Sequence, residues 1–295
     1  MRNTTRHGNR AKFGPVLACI CIALSSGAPA ASEKRAQETV PPSAGSTFSY
    51  ADYADLTLQA PVVVIAQIAK AERLKGELAP GLAIDKARFL IQANVQTLLK
   101  GSDGLPGVIS YIVDVSLGPK GKSPSLKNRR VLLLARQVPG RPLEVQLSSP
   151  YSQLDWTQAA EDRTRSILRE ATSASAPPRV TGVGNAFYVP GAIPGESEAQ
   201  IFLTTADSRP ISLSILRRPG EQPQWAVALG EMVDDSATAP PRDTLLWYNL
   251  ACFLPARLPN KSVAALSPAD GEAVRRDYKF VLDRLGTCER TIQRP

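Results

Sequence analysis

"ARFLIQANVQTLLKG" (87–101) alternates, with Ala87, Phe89, Ile91, Ala93 and Val95 on one side and Arg88, Gln92, Asn94 and Gln96 on the other. A period of two places successive side chains on opposite faces of a strand, so one face is buried and the other wet. Lys100-Gly101 ends the run. Upstream, "PVVVIAQIA" (61–69) is almost continuously apolar and β-branched, as a buried strand should be. Downstream, 107–117, 130–138 and 143–147 add three more strand-like runs, and "VPGRP" (138–142) supplies a turn between the last two. Five strands in this order predict a small β domain over 49–171. Ser49 with Asp52 three residues on predicts a capped helix before the first strand. A helix also follows the strands, starting at Asp155 or Thr157.

"TSASAPP" (172–178) is small and proline-rich, and is expected to link the first domain to a second spanning 179–295. Strands are expected at 179–189, 198–206, 210–218 and 223–233, joined by short turns such as "RRPGEQP" (217–223) into an antiparallel meander. Two helices follow. "RDTLLWYNLACFL" (242–254) starts at Asp243 and is apolar nearly all round, so it should be buried on more than one side. The other starts at Ser267-Pro268-Ala269-Asp270 and stops at Gly286. The fold class is α+β, mostly antiparallel β.

The N-terminus carries Arg2, Arg6, Arg10 and Lys12, then the apolar "PVLACICIAL", then Ala28-Pro29-Ala30. That is the layout of a secretory signal peptide over 1–30, too short in its apolar part to span a bilayer. A lipid-modified Cys19 is the rival reading. Residues 31–48 read as a polar, flexible leader. No later segment is long and apolar enough for a membrane helix, which points to a periplasmic or secreted protein. The chain is +8; cleavage removes four cations and no acids, leaving about +4, too mild a balance to name a partner.

Cleavage also removes Cys19, Cys21 and the only histidine, His7. The mature chain then has no Ser-His-Asp triad, no Cys-His pair and no His-ligated zinc. Cys252 and Cys288 remain and are expected to pair as a structural disulfide in an oxidising compartment.

Two glycine-rich stretches invite a phosphate. "GVGNAFYVPGAIPGES" (182–197) has Phe187 where a dinucleotide fingerprint needs its third glycine, and a strand follows where a helix is required. "SLGPKGKS" (116–123) has Ser116 in place of the first glycine of a P-loop, and Pro124 follows. The first is expected to be a strand with a glycine bend, the second a basic surface loop. With Lys120, Lys122, Lys127, Arg129 and Arg130 that loop could contact an anionic polymer, without specificity for nucleic acid. Glu196, Glu198, Asp207, Glu231, Asp234, Asp235 and Asp243 could in principle hydrolyse a glycoside in pairs, though no spacing fixes a pair. Trp156, Trp225 and Trp247 could line a groove, yet are more often packing residues. No cofactor or metal site is expected.

Residues 53–170 resemble the secreted netrin-like or TIMP-like barrel, an OB-type fold. The resemblance rests on "YADLTLQAPVVVIAQIAKA", on Leu98-Leu99-Lys100-Gly101 closing the second strand, and on Val131 to Ala135 late in the barrel. It implies an OB-like five-stranded barrel. It carries over no inhibitory mechanism, because the family's metal-chelating N-terminal cysteine has no counterpart in this half. The whole chain also looks like exported bacterial proteins of unassigned function. The function expected is a non-catalytic binding or interaction module of the cell envelope, its partner an envelope protein or an anionic polymer. The alternative is an exported carboxylate-dependent hydrolase.

Overall fold

The computed structural model describes residues 48–101, 104–230 and 237–292. The expected signal peptide, nearly all of the leader, and Glu231, Asp234 and Asp235 lie outside them. Ser49 caps helix α1 (Tyr50–Gln59) through a capping box with Asp52, as its spacing predicts. Five strands follow: β1 (Val62–Leu74), β2 (Lys86–Lys100), β3 (Val108–Ser116), β4 (Arg130–Val138) and β5 (Arg141–Leu147). They pair in the order β1-β2-β3-β5-β4, and β4 returns to β1, closing a mixed barrel consistent with an OB-like fold. A short strand, β6 (Gln153–Asp155), pairs with β4 and was not legible in the sequence. Helix α2 (Gln158–Thr172) starts from Thr157, the second of the two starts expected.

The barrel explains the two kinds of strand pattern. Inside it pack Val62, Val64, Ala66 and Ile68 of β1 with Phe89, Ile91 and Ala93 of β2 and Val131 and Leu133 of β4. The alternate residues of β1 and β4, Val63, Ile65, Leu132 and Leu134, face outward yet are also fully buried, in a second core beneath α1. Two buried faces require a continuous apolar run. The β2 strand has one buried face and so alternates.

After residues 172–178 come β7 (Val180–Pro190), β8 (Ser197–Thr205), β9 (Ile211–Arg217) and β10 (Gln224–Ala228), an antiparallel sheet in the order β10-β9-β8-β7. The last strand is shorter than the 223–233 expected, ending where Leu229 and Gly230 turn away. Helix α3 (Leu245–Phe253) is capped by Thr244, one residue later than expected; Asp243 sits outside it at φ 59°, a left-handed conformation that cannot continue into a helix. Helix α4 (Pro268–Leu285) begins and ends as the sequence predicts, with Gly286 at φ 72°. A Cys252–Cys288 disulfide ties its end to α3. Among the described residues no helix is long and apolar enough to cross a membrane.

The outer face of β1 and β4, helices α1 to α4 and the inner face of the second sheet share one hydrophobic core. Polar contacts reinforce it. The Glu170 side chain of α2 accepts the backbone N–H of Leu245 at 2.8 Å, capping α3 from another element. Trp247 donates from Nε1 to the Leu285 carbonyl at 2.9 Å, which identifies it as a packing residue.

Asp277 of α4 is 1% exposed and carries one oxygen, Oδ2, without a partner, while Oδ1 pairs with Arg217 of β9. Burial lifts its carboxyl above the usual value, against the opposing pull of Arg217. The contribution of a raised carboxyl is greatest when it is protonated and is lost as pH rises through the folded value. Asp277→Asn, which still offers an oxygen to Arg217, is therefore expected to gain about 1 kcal/mol over the parent at pH 7. That gain should vanish below about pH 4. Urea unfolding of both proteins at the two pH values checks this; an equal loss at both would mean the charge is fully compensated.

Candidate binding groove

The barrel closes unevenly. The β3 strand pairs with β2 along its whole length, from Lys86 opposite Ser116 to Asn94 opposite Val108. Its pairing with β5, the barrel's parallel contact, consists of Ser110 opposite Glu144 alone among the described residues. The two strands otherwise run side by side without a regular ladder. A bulge in β5 contributes: Gln137 of β4 lies opposite Val145, but Val138 lies opposite Arg141, so residues 142–144 leave the ladder. The result is a groove of about 940 Å³ along the seam.

Its walls are apolar. Leu90 of β2 lies directly opposite Ile112 of β3, and Leu143 of β5 faces the seam. These three are 41%, 53% and 57% exposed, a cluster that ordinary burial does not account for. Beneath the groove Tyr111 is buried and donates to Gln153 Oε1 at 2.7 Å; burial raises its phenol well above the usual value, so it stays a neutral donor.

The charges at the groove are paired. Arg88 forks onto Asp114 with bonds of 2.7 and 2.8 Å and donates to the Pro80 carbonyl at 3.0 Å. The Arg88 hydrogen bonds hold the Asp114 carboxyl below its usual range. Arg141 meets Glu144 at 2.9 Å. Held ionised by the Arg88 guanidinium, Asp114 is a weak base.

The residues singled out in the sequence lie elsewhere. Lys120, Lys122 and Lys127 are exposed in the 117–129 connection, where Lys120 adopts φ 61°. Arg129 is engaged by Asp155 at 2.5 Å. Arg130 lies 3.6 Å over the Trp156 ring and donates to Gln96, so the face of Trp156 is already covered. Trp225 stands opposite Ile215 in the second sheet, partly buried against the core. Glu196 folds over Gly191, where its Oε2 accepts the Ala192 N–H at 3.2 Å and a Cβ on Gly191 would lie 2.3 Å from its Cγ. The 182–197 stretch thus holds its own carboxylate, and its bulges at Gly182 and Gly184 fit the expected glycine bend. Glu198 receives a hydrogen bond from Ser214, Asp207 binds Arg209, and Asp243 is 3.7 Å from Arg163. Each described acid of that set has a local partner on a different part of the surface. Among the described residues no group of three or more His, Cys, Asp or Glu is placed to hold a metal ion.

The groove residues themselves were not singled out. Leu90 could have been, since it breaks the alternation on the wet face of its strand. Leu143 could not, because it shares the parity of buried Val145 and only the bulge exposes it.

Fold and groove together define a β-barrel module with an open seam, joined through a common core to an antiparallel sheet and two bridged helices. No protein-family model matches the chain, and no curated protein matches it in sequence.

Proposed function

We propose that this chain is a non-catalytic binding module of the cell envelope that holds an extended polypeptide segment in the seam between β3 and β5. The observation that supports this most directly is the coincidence of a β3–β5 ladder reduced to Ser110 and Glu144 with exposed Leu90, Ile112 and Leu143. A backbone laid along the edge gains hydrogen bonds, and its alternate side chains meet the leucines and the isoleucine. The strand order supports treating the barrel as netrin-like or TIMP-like, with the family's inhibitory cysteine missing. The N-terminal sequence and the Cys252–Cys288 bond support export.

The double substitution Ile112→Asp/Leu143→Asp tests the reading. Both side chains are more than half exposed, so the melting temperature should stay within a few degrees of the parent. Peptides selected on the parent from a displayed library should lose affinity for the variant by at least about tenfold. Equal binding to both proteins would remove the seam from consideration. Turnover of a glycan or peptide that survives the substitutions would favour the carboxylate-dependent hydrolase.

A further inference from the structure

A second groove lies on the opposite side of β1, where the end of α1, the end of β2 and the last turns of α2 meet. It measures about 940 Å³, and Leu58, Leu99 and Leu168 form its apolar part. Leu58 is 37% exposed although it sits on a helix whose preceding eight residues are all buried. Past Leu58 and Ala171 the groove continues into a smaller cavity of about 320 Å³ that carries Arg179.

The polar rim is unbalanced. Lys100, Arg165 and Arg169 border the larger part against one acid, Asp162, which accepts a hydrogen bond from Gln158. Arg165 is spent on Glu161, with bonds of 3.0 and 2.8 Å. The Arg169 side chain is exposed and has no hydrogen-bonded or ionic partner among the described residues. Lys100 is partly buried and has no acidic partner there. It donates to the carbonyls of Thr57 and Leu58 at 3.3 and 3.2 Å, which closes the end of α1 and leaves one of its three N–H donors unspent. Desolvation lowers its ammonium below the usual value, the mark of a cation without a counter-charge.

Capping of the α1 carbonyls accounts for the position of Lys100, and stacking over the Phe253 ring at 5.3 Å accounts for Arg179, but neither accounts for Arg169 or for exposed Leu58. Anionic groups would complement Arg169 and the remaining donor of Lys100, and large apolar side chains would cover the leucines. A lipid surface fits less well, because Asp162 stands on the rim and the exposed apolar area carries no aromatic anchor. We propose that this groove is a second docking site, separate from the seam, for an acidic segment of a partner protein that carries leucine-sized side chains.

The probe is a fluorescein-labelled peptide of alternating Glu and Leu, measured by anisotropy against the full chain. Peptides in which Ser replaces Leu, or Lys replaces Glu, serve as controls. The Glu/Leu peptide should bind, weaken as salt rises, and exceed both controls. Arg169→Glu should reduce its affinity by about tenfold or more, and Arg169→Lys should largely retain it. Ile112→Asp/Leu143→Asp should leave it unchanged, which separates this site from the seam. Binding that survives Arg169→Glu, or that is as strong with the Ser control, would overturn the proposal. So would binding to phosphatidylglycerol vesicles without binding to the peptide, or a concentration-dependent dimer that Arg169→Glu abolishes, which would assign the groove to a membrane or to a second copy.

Discussion

Asp52→Ala is expected to destabilise the protein by about 3–5 kcal/mol, because several hydrogen bonds to one charged acceptor are lost together. Asp52 is 1% exposed. Its carboxylate caps α1 by accepting the Ser49 N–H and hydroxyl at 2.9 Å. It also accepts the Thr291 hydroxyl at 2.6 Å, the Thr291 N–H at 3.0 Å and the Ile292 N–H at 3.2 Å. Alanine would remove at once the charged acceptor of five part-buried hydrogen bonds, and bonds to a charged group are the stronger kind. Burial by itself would lift this carboxyl, but the bonds from Thr291 and Ser49 outweigh it and hold the group below its usual value. A depressed carboxyl contributes stability that is fully present above its unfolded value and is lost as pH falls through the folded one. The difference between parent and Asp52→Ala should therefore be constant near neutrality and shrink below about pH 4. Chemical unfolding across that range measures it. A constant difference down to strong acid would show that the residue's size, and not its charge, matters.

The Cys252→Ser/Cys288→Ser variant is expected to lose about 3–4 kcal/mol on the chain-entropy account, which is disputed in origin but consistent in size. The cysteines are 36 residues apart, a loop long enough for the unfolded chain to gain appreciably from release. For a chain of this size the melting temperature should fall by about 10 °C, with the far-ultraviolet circular dichroism unchanged. The helices should remain because their apolar faces stay in the common core, Leu250 of α3 and Val281 of α4 being completely buried. A melting temperature unchanged by the substitutions would mean that packing alone sets the distance between the helices. Two titratable thiols in the native, unreduced protein would contradict the bond itself.

Most of the strands were legible because burial writes a period into them. Phe89, Ile91 and Ala93 could be assigned to an interior before the barrel was known, and the unbroken apolar run of Val62 to Ile65 announced a buried strand. Caps were legible for a local reason, since Ser49 and Ser267 need partners only three residues away. The β6 strand was not, because three residues leave no period to read. The seam was hidden for a different reason. It depends on an irregularity that takes three residues of β5, 142–144, out of register with β4, and nothing in Arg141–Leu147 marks a shift that only the partner strand defines. The charge cluster at 118–130 looked like one feature in the sequence, but the fold commits Arg129 to Asp155 and Arg130 to Trp156 and leaves three lysines exposed. Partners distant in sequence decide which charges are free, and single-chain patterns carry no record of them.

The clasp between α1 and residues 290–292 bears on the timing of folding. Asp55 is held by Arg290 at 2.7 Å and by the Tyr248 hydroxyl at 2.5 Å, and Asp52 by Thr291 and Ile292, across separations of 193 to 240 residues. A chain that emerges from its N-terminal side presents two carboxylates whose partners have not yet been made. The barrel strands between them can pair early, since β1 with β2 and β4 with β5 are hairpins. The capping box lets Asp52 close the helix locally, so what residues 290–292 add is its anchorage, through bonds that join the two ends of the described chain.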